Sequence, residues 1–244
     1  MPKKAHQTGF QAAKLGWGPI GTGTVSEDRE HFQAAREGFG HDGILLVDTG
    51  QIFGDDEEKA SQRIKAMEEA NVLWFEEPFH AHAIHEYGEL ARRSGKIKLA
   101  GGEGAHHSSM AKHLIDFGKV GYVQIDCGRI GGIWPAKLVA DHAVANGVTY
   151  VNHTFTSHLA LSASLQPYAG LKNHEICEYP GQPKSLALDI TKTHLKPDKN
   201  GQVKAPEAPG LGIDINVEGL TNYLVDVSIV VNNKQIFHTP SFSI

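Results

Sequence analysis

Short apolar runs recur along this 244-residue chain: FQAAKL from Phe10, ILLVD from Ile44, VLWFEE from Val72, IKLAGGE from Ile97, VGYVQID from Val120, VTYVNH from Val148 and EICE from Glu175. Each has the length and composition of a buried strand. Between them lie segments with apolar residues at helical spacing, EDREHFQAAREGFG, EEKASQRIKAMEEA, HHSSMAKHLIDFG and WPAKLVADHAVANG. Several end at Gly, which readily takes the left-handed conformation that closes a helix. Strand alternating with helix predicts parallel strands joined by crossovers, an α/β fold.

The strand ends carry the chemistry. Asp48, Glu76, Glu103, Asp126, His153 and Glu178 sit at or near the carboxyl ends of six runs, at intervals of roughly 23 to 28 residues, about one βα unit. Side chains alternate along a strand, so Leu46 and Asp48, Trp74 and Glu76, Gly101 and Glu103, Gln124 and Asp126, and Val151 and His153 are expected to share a face in each pair. In a barrel that face points inward, and the polar ends converge on one mouth. A single strand-end carboxylate is ordinary. Six in register are not.

Composition narrows the class of function. A formal charge of -5 with no run of Lys or Arg leaves no electrostatic footprint for nucleic acid or anionic lipid. Cys127 and Cys177 are too few for a secreted disulfide framework. No apolar stretch approaches the roughly 20 residues of a membrane span, and the opening MPKKAHQTGF lacks the apolar centre of a signal peptide. The expectation is a cytoplasmic protein acting on a small molecule.

Asp48, Glu76 and Glu103 on three successive strands form a cluster of anions that needs a cation, and hard oxygen ligands suit Mg2+. Zinc is less suited, because the cluster offers neither thiolate nor imidazole; His106 and His107 nearby keep it open, although both read first as exposed residues opening a helix. Asp126 and His153 fall on the next two strands, where the carboxylate can hold one imidazole nitrogen and leave the other facing the mouth as a general base. A divalent metal on a substrate carboxylate acidifies its α-proton by stabilising the enediolate formed when that proton leaves.

The ordered set LLVD, WFEEP, LAGGE, QIDCGRIGG, VNHTFTSHLALSASL, CEYP and APGLGI resembles the barrel domain of the enolase superfamily, in its mandelate racemase subgroup, from about Phe10 to about Leu224. The resemblance implies a TIM-like modified (β/α)7β barrel. It implies Asp48, Glu76 and Glu103 as Mg2+ ligands, Asp126 and His153 as the dyad, and Glu178 as a hydrogen-bonding partner of the substrate carboxylate. Glu77 becomes the neighbour of a ligand. Arg129 stands where some relatives carry Lys and is assigned outside the ligand set.

The same resemblance interprets KLGWGPIGTG, whose Gly16, Gly18 and Gly21 spell G-x-G-x-x-G. A dinucleotide turn needs a helix starting inside the motif, but Pro19 interrupts it, and Thr24 with Glu27 makes a capping box that delays the helix. In the family the equivalent strand carries K-x-K, whose second Lys is the base facing the His; here Lys14 matches the first position and Gly16 the second. Lys14 is expected to point inward, to hold substrate or balance the carboxylates. With an evident base only on the His153 side, the resemblance favours a lyase over a racemase: dehydration of an acid sugar to a 2-keto-3-deoxy acid. Racemase, epimerase, cycloisomerase and a catalytically silent metal-binding fragment are the alternatives.

Family members open with a capping domain and a first barrel strand not visible here, so the resemblance implies an N-terminally truncated barrel with seven strands where eight are expected. Residues 1–210 are expected as the partial barrel, KKAHQTGF ending its first helix. Residues 211–244 are expected as a tail that returns to the capping domain, YLVDVSIVVNNKQIF forming one hairpin. A homo-oligomer is implied for the full-length form.

Overall fold

The computed structural model describes residues 2–154, 157–172 and 175–240. After α1 (Pro2–Gln7), strands and helices alternate: β1 (Ala12–Gly16), α2 (Val25–Phe39), β2 (Ile44–Asp48), α3 (Glu57–Ser61), α4 (Ile64–Glu69), β3 (Val72–Glu76), α5 (Ile84–Arg93), β4 (Lys98–Gly101), α6 (Ser108–Asp116), β5 (Tyr122–Ile125), α7 (Ile133–Ala145), β6 (Thr149–Asn152) and α8 (His158–Leu165). β1 to β6 pair in parallel and in chain order, as crossovers of one hand require. The result is a curled α/β half-barrel of the TIM type, with no pairing between β6 and β1.

Alternation divides the sheet into two apolar faces. Val47, Phe75, Leu99 and Val123 pack outward with Phe32, Met67, Leu90 and Val139 of the helices, forming the main core. Leu46, Trp74, Ala100 and Val151 form a smaller cluster inside the curl. Gly101 therefore does not share a face with Leu46 and Trp74 as expected. A Cβ on it would lie 3.2 Å from the Tyr87 hydroxyl, on the helix side. Gly102 restores the phase: its φ of +120° and its close approach to the Gln124 carbonyl, 2.8 Å from where a Cβ would sit, turn the chain so that Glu103 still reaches the mouth.

Three further expectations meet the structure differently. The helix expected over EEKASQRIKAMEEA divides into α3 and α4, because the Arg63 N–H donates to Ala60 three residues back rather than four. EICE is not a strand, which leaves six described parallel strands where seven were expected. The Asn152 side chain takes the place of a ladder, its Nδ2 donating to the Glu178 carbonyl at 3.0 Å and its Oδ1 accepting from the Glu178 N–H at 3.0 Å. Glu178 is thus bonded to a side chain instead of to a neighbouring strand. The expected hairpin is present: beyond α9 (Ser185–Asp189) and α10 (Val217–Thr221), β7 (Ser228–Val231) pairs antiparallel with β8 (Lys234–His238). Asn232 and Asn233 make its two-residue turn, both at positive φ.

One buried ion pair sets the loop that follows β1. Asp28, fully buried on α2, accepts the Gly21 N–H at 3.0 Å and Arg63 Nε at 3.0 Å, while Arg63 Nη2 donates to the Gly23 carbonyl at 2.9 Å. Thr24 and Glu27 then cap α2 reciprocally, as expected. Removing one partner of such a pair leaves an uncompensated buried charge. Arg63→Met is expected to lower the unfolding free energy by about 3–5 kcal/mol, read from the urea midpoint; an unshifted midpoint would refute this role.

Candidate active site

The carboxyl ends of the parallel strands deliver five of the expected residues to one place, and a sixth, Glu178, joins them from outside the sheet. Asp48 and Glu76 end β2 and β3 and are register partners, Glu103 lies two residues beyond β4, and Asp126 and His153 directly follow β5 and β6. One carboxylate oxygen from each of Asp48, Glu76 and Glu103 lies within 4.8 Å of the others. Glu178 enters from the segment spanning the open edge, its carboxylate accepting from Gln124 Nε2 at 3.1 Å and from the Thr154 N–H at 3.1 Å. An open cleft of about 2060 Å³ runs through the curl, from Ala12 and Ile44 at one end to Asp48, Glu103 and His153 at the other.

Lys14 points inward from β1, and its ammonium is shared among the acids. It bonds Glu76 Oε1 at 2.6 Å, pairs with Glu178, and lies 3.5 Å from Asp48 Oδ2. Burial pulls the Lys14 pKa down, but Glu178, Glu76 and Asp48 together outweigh it, and the net direction is up. Burial pushes the Glu76 carboxyl well up; Lys14 opposes this, and Asp48 and Glu178 add to it.

The His153 Nδ1 is 2.9 Å from Asp126 Oδ2, and its Nε2 is 3.2 Å from Glu103 Oε2. The other Asp126 oxygen accepts the N–H groups of Gly128 and Arg129, which fix the carboxylate's orientation. Burial lowers the His153 pKa, yet the Asp126 hydrogen bond and the Glu103 and Glu178 charges raise it further than burial and Lys14 lower it. Asp126 moves down: burial opposes, and the His153 and backbone hydrogen bonds prevail. Arg129 Nη1 reaches Glu103 Oε1 at 2.8 Å. Glu77 turns away from the triad with φ +41°, and burial and the Glu103 charge push it up to about 7. His106 and His107 are exposed, and His107 caps α6.

Two features escape sequence reasoning. The Trp17 indole Nε1 donates to Asp48 Oδ2 at 3.1 Å, a contact that spacing cannot reveal. At Gly16, a Cβ would sit 1.7 Å from the Asp48 carbonyl oxygen, so no side chain fits on this backbone. The only available signal was the glycine itself.

The family described as enolase C-terminal domain-like matches residues 1–219. The chain belongs to that family. The crystal structure of a predicted mandelate racemase from Rhodobacter sphaeroides superposes with a TM-score of 0.91 at 55% identity, over 98% of this chain and 61% of that one. D-galactarolactone cycloisomerase of Agrobacterium fabrum is 29% identical over 88% of this chain and 57% of its own length. L-talarate/galactarate dehydratase of Salmonella typhimurium is 32% identical over 67% and 40%. The chain thus spans roughly half the length of the two curated relatives. Among the described residues no helix is long and apolar enough to cross a membrane.

In this enolase-type barrel the triad fits a hard divalent cation: its donors are all carboxylate oxygens, they converge, and Lys14 already holds positive charge against two of them. Glu103 belongs to the triad and also faces His153 Nε2, so a divalent cation at the triad and the protonated imidazole would compete for it. The protonated His153 contributes stability that is complete below the usual histidine pKa and is lost as pH rises through its raised value. Affinity for Mg2+ is therefore expected to increase with pH across the same window, with proton release on binding. Calorimetry in buffers of unlike ionisation enthalpy, from about pH 6 to about pH 9, checks this; a pH-independent affinity would uncouple His153 from the triad.

Proposed function

We propose that this chain carries the Mg2+-dependent removal of an α-proton from a small carboxylate substrate, in the service of dehydrating an acid sugar to a 2-keto-3-deoxy acid. The observation that carries the reading is the one-sided base. His153 is oriented by Asp126 at 2.9 Å at the β6 edge of the mouth, whereas the backbone at Gly16, on the β1 edge, leaves no room for a second base.

Asp48, Glu76 and Glu103 would hold Mg2+, which when bound neutralises the charge that develops on the substrate carboxylate. The neutral His153 takes the α-proton through Nε2, while Asp126 keeps Nδ1–H in place and stabilises the imidazolium that forms. That imidazolium returns the proton to the β-hydroxyl as its C–O bond breaks. Water departs, and the enol left behind tautomerises to the 2-keto acid. Lys14, kept protonated by Glu178, Glu76 and Asp48, serves as a fixed positive charge for the substrate carboxylate rather than as a base. Glu178 completes the carboxylate site as a hydrogen-bonding partner.

The likeness to a dehydratase at 32% identity supports this reading, and the likeness to a cycloisomerase keeps the proton-abstraction step while changing the outcome. Incubation of the chain with Mg2+ and an acid-sugar library in deuterated water separates them. The expected product is a 2-keto-3-deoxy acid, with no α-epimer of the substrate. His153→Asn is expected to lower turnover by on the order of 10²–10⁴-fold with Mg2+ binding retained. Accumulating α-epimer would assign a racemase, and Mg2+ binding without turnover of any substrate would assign a silent metal-binding domain.

A further inference from the structure

The loop Gly16–Thr24 retains one feature that the reaction above does not use. Trp17 follows β1 with φ +51°, a left-handed backbone that a bulky side chain rarely adopts. The residue is 73% exposed, so burial does not explain why the conformation is held. What the ring contributes is a polar edge. Its Nε1–H donates to Asp48 Oδ2 at 3.1 Å, and its backbone N–H donates to the Asp48 carbonyl at 3.2 Å.

The other Asp48 oxygen accepts the Gly50 N–H at 2.9 Å, and Gly50 lies under the indole, where a Cβ would come within 3.0 Å of the ring. Asp48 is thus gripped at both carboxylate oxygens, and Trp17 forms one jaw while packing on the residue that forms the other. The buried Asp28–Arg63 pair holds the far end of the same loop. Gly16 has to be glycine for the chain to pass this close to Asp48.

We infer that Trp17 is a positioning residue that orients the Asp48 carboxylate, setting the oxygen that converges with Glu76 and Glu103. Its consequence for metal affinity rests on the metal reading of the triad. An outer hydrogen-bond partner of a ligand tunes affinity without touching the ion. Trp17→Phe keeps the ring against Gly50 and removes only the N–H.

Two measurements test this. In the metal-free protein, the ¹H–¹⁵N indole resonance of Trp17, assigned by its loss in Trp17→Phe, is expected to move in Asp48→Asn; a resonance that stays in place overturns the proposal whether or not the triad binds metal. In Mg2+ calorimetry, Trp17→Phe is expected to weaken affinity on the order of 10-fold or more, while Trp134→Phe, equally exposed but outside the cleft lining, leaves it unchanged. Affinity of Trp17→Phe within about twofold of the parent overturns the proposal while leaving the metal reading intact. A parent protein that binds no Mg2+ removes the metal reading, and the indole resonance then decides the role of Trp17 alone.

Discussion

Asp48, Glu76, Glu103 and Glu178 are brought to one end of a cleft where water screens them poorly, and their mutual repulsion is the constraint around which the rest is arranged. Lys14 answers three of them and His153 with Arg129 answers the fourth. The same contacts join the two edges of an unclosed sheet. Lys14 belongs to β1, and Glu178, its partner, is held by Gln124 of β5 and by the backbone after β6. Charge neutralisation therefore does here what a hydrogen-bonded ladder does between the other neighbouring strands.

This arrangement makes the dyad and the carboxylate triad one electrostatic unit. Glu103 is the shared member, and its charge adds to the larger effect of the Asp126 hydrogen bond in raising the His153 pKa. Under the proposed metal reading, a cation on Glu103 would offset part of the charge that raises the His153 pKa, and the imidazole would give up its proton more readily. The contact joins side chains from the loops after β4 and β6, which flank the loop after β5 that carries Asp126.

The glycine motif after β1 shows how one local pattern can serve unlike ends. In a dinucleotide site such glycines let a helix N-terminus approach a phosphate. Here α2 begins only after Thr24, and the glycines instead let β1 pass against Asp48 and turn Trp17 over Gly50. The space that a second base would need is taken up by the Asp48 backbone, so the chemistry of the loop is decided by steric contact with its neighbour strand.

What the sequence by itself determined was whatever depends on short-range periodicity. The βα repeat and the two-residue strand period placed Asp48, Glu76, Asp126 and His153 at strand ends, the Thr24–Glu27 capping box started α2, and the Asn232–Asn233 turn made the hairpin. Each follows from residues within one element. What only the tertiary structure decided depends on groups distant in the chain. Ala100 replaced Gly101 on the inner face because Gly102 meets the Gln124 backbone, and Asn152 substituted its side chain for a seventh strand's ladder. The helix over 57–70 divided at Arg63, whose guanidinium is tied to Asp28, and Trp17 found Asp48 at the end of the neighbouring strand. No pattern within a window of one chain segment encodes these, because each is a choice between partners that are neighbours only after the sheet has curled.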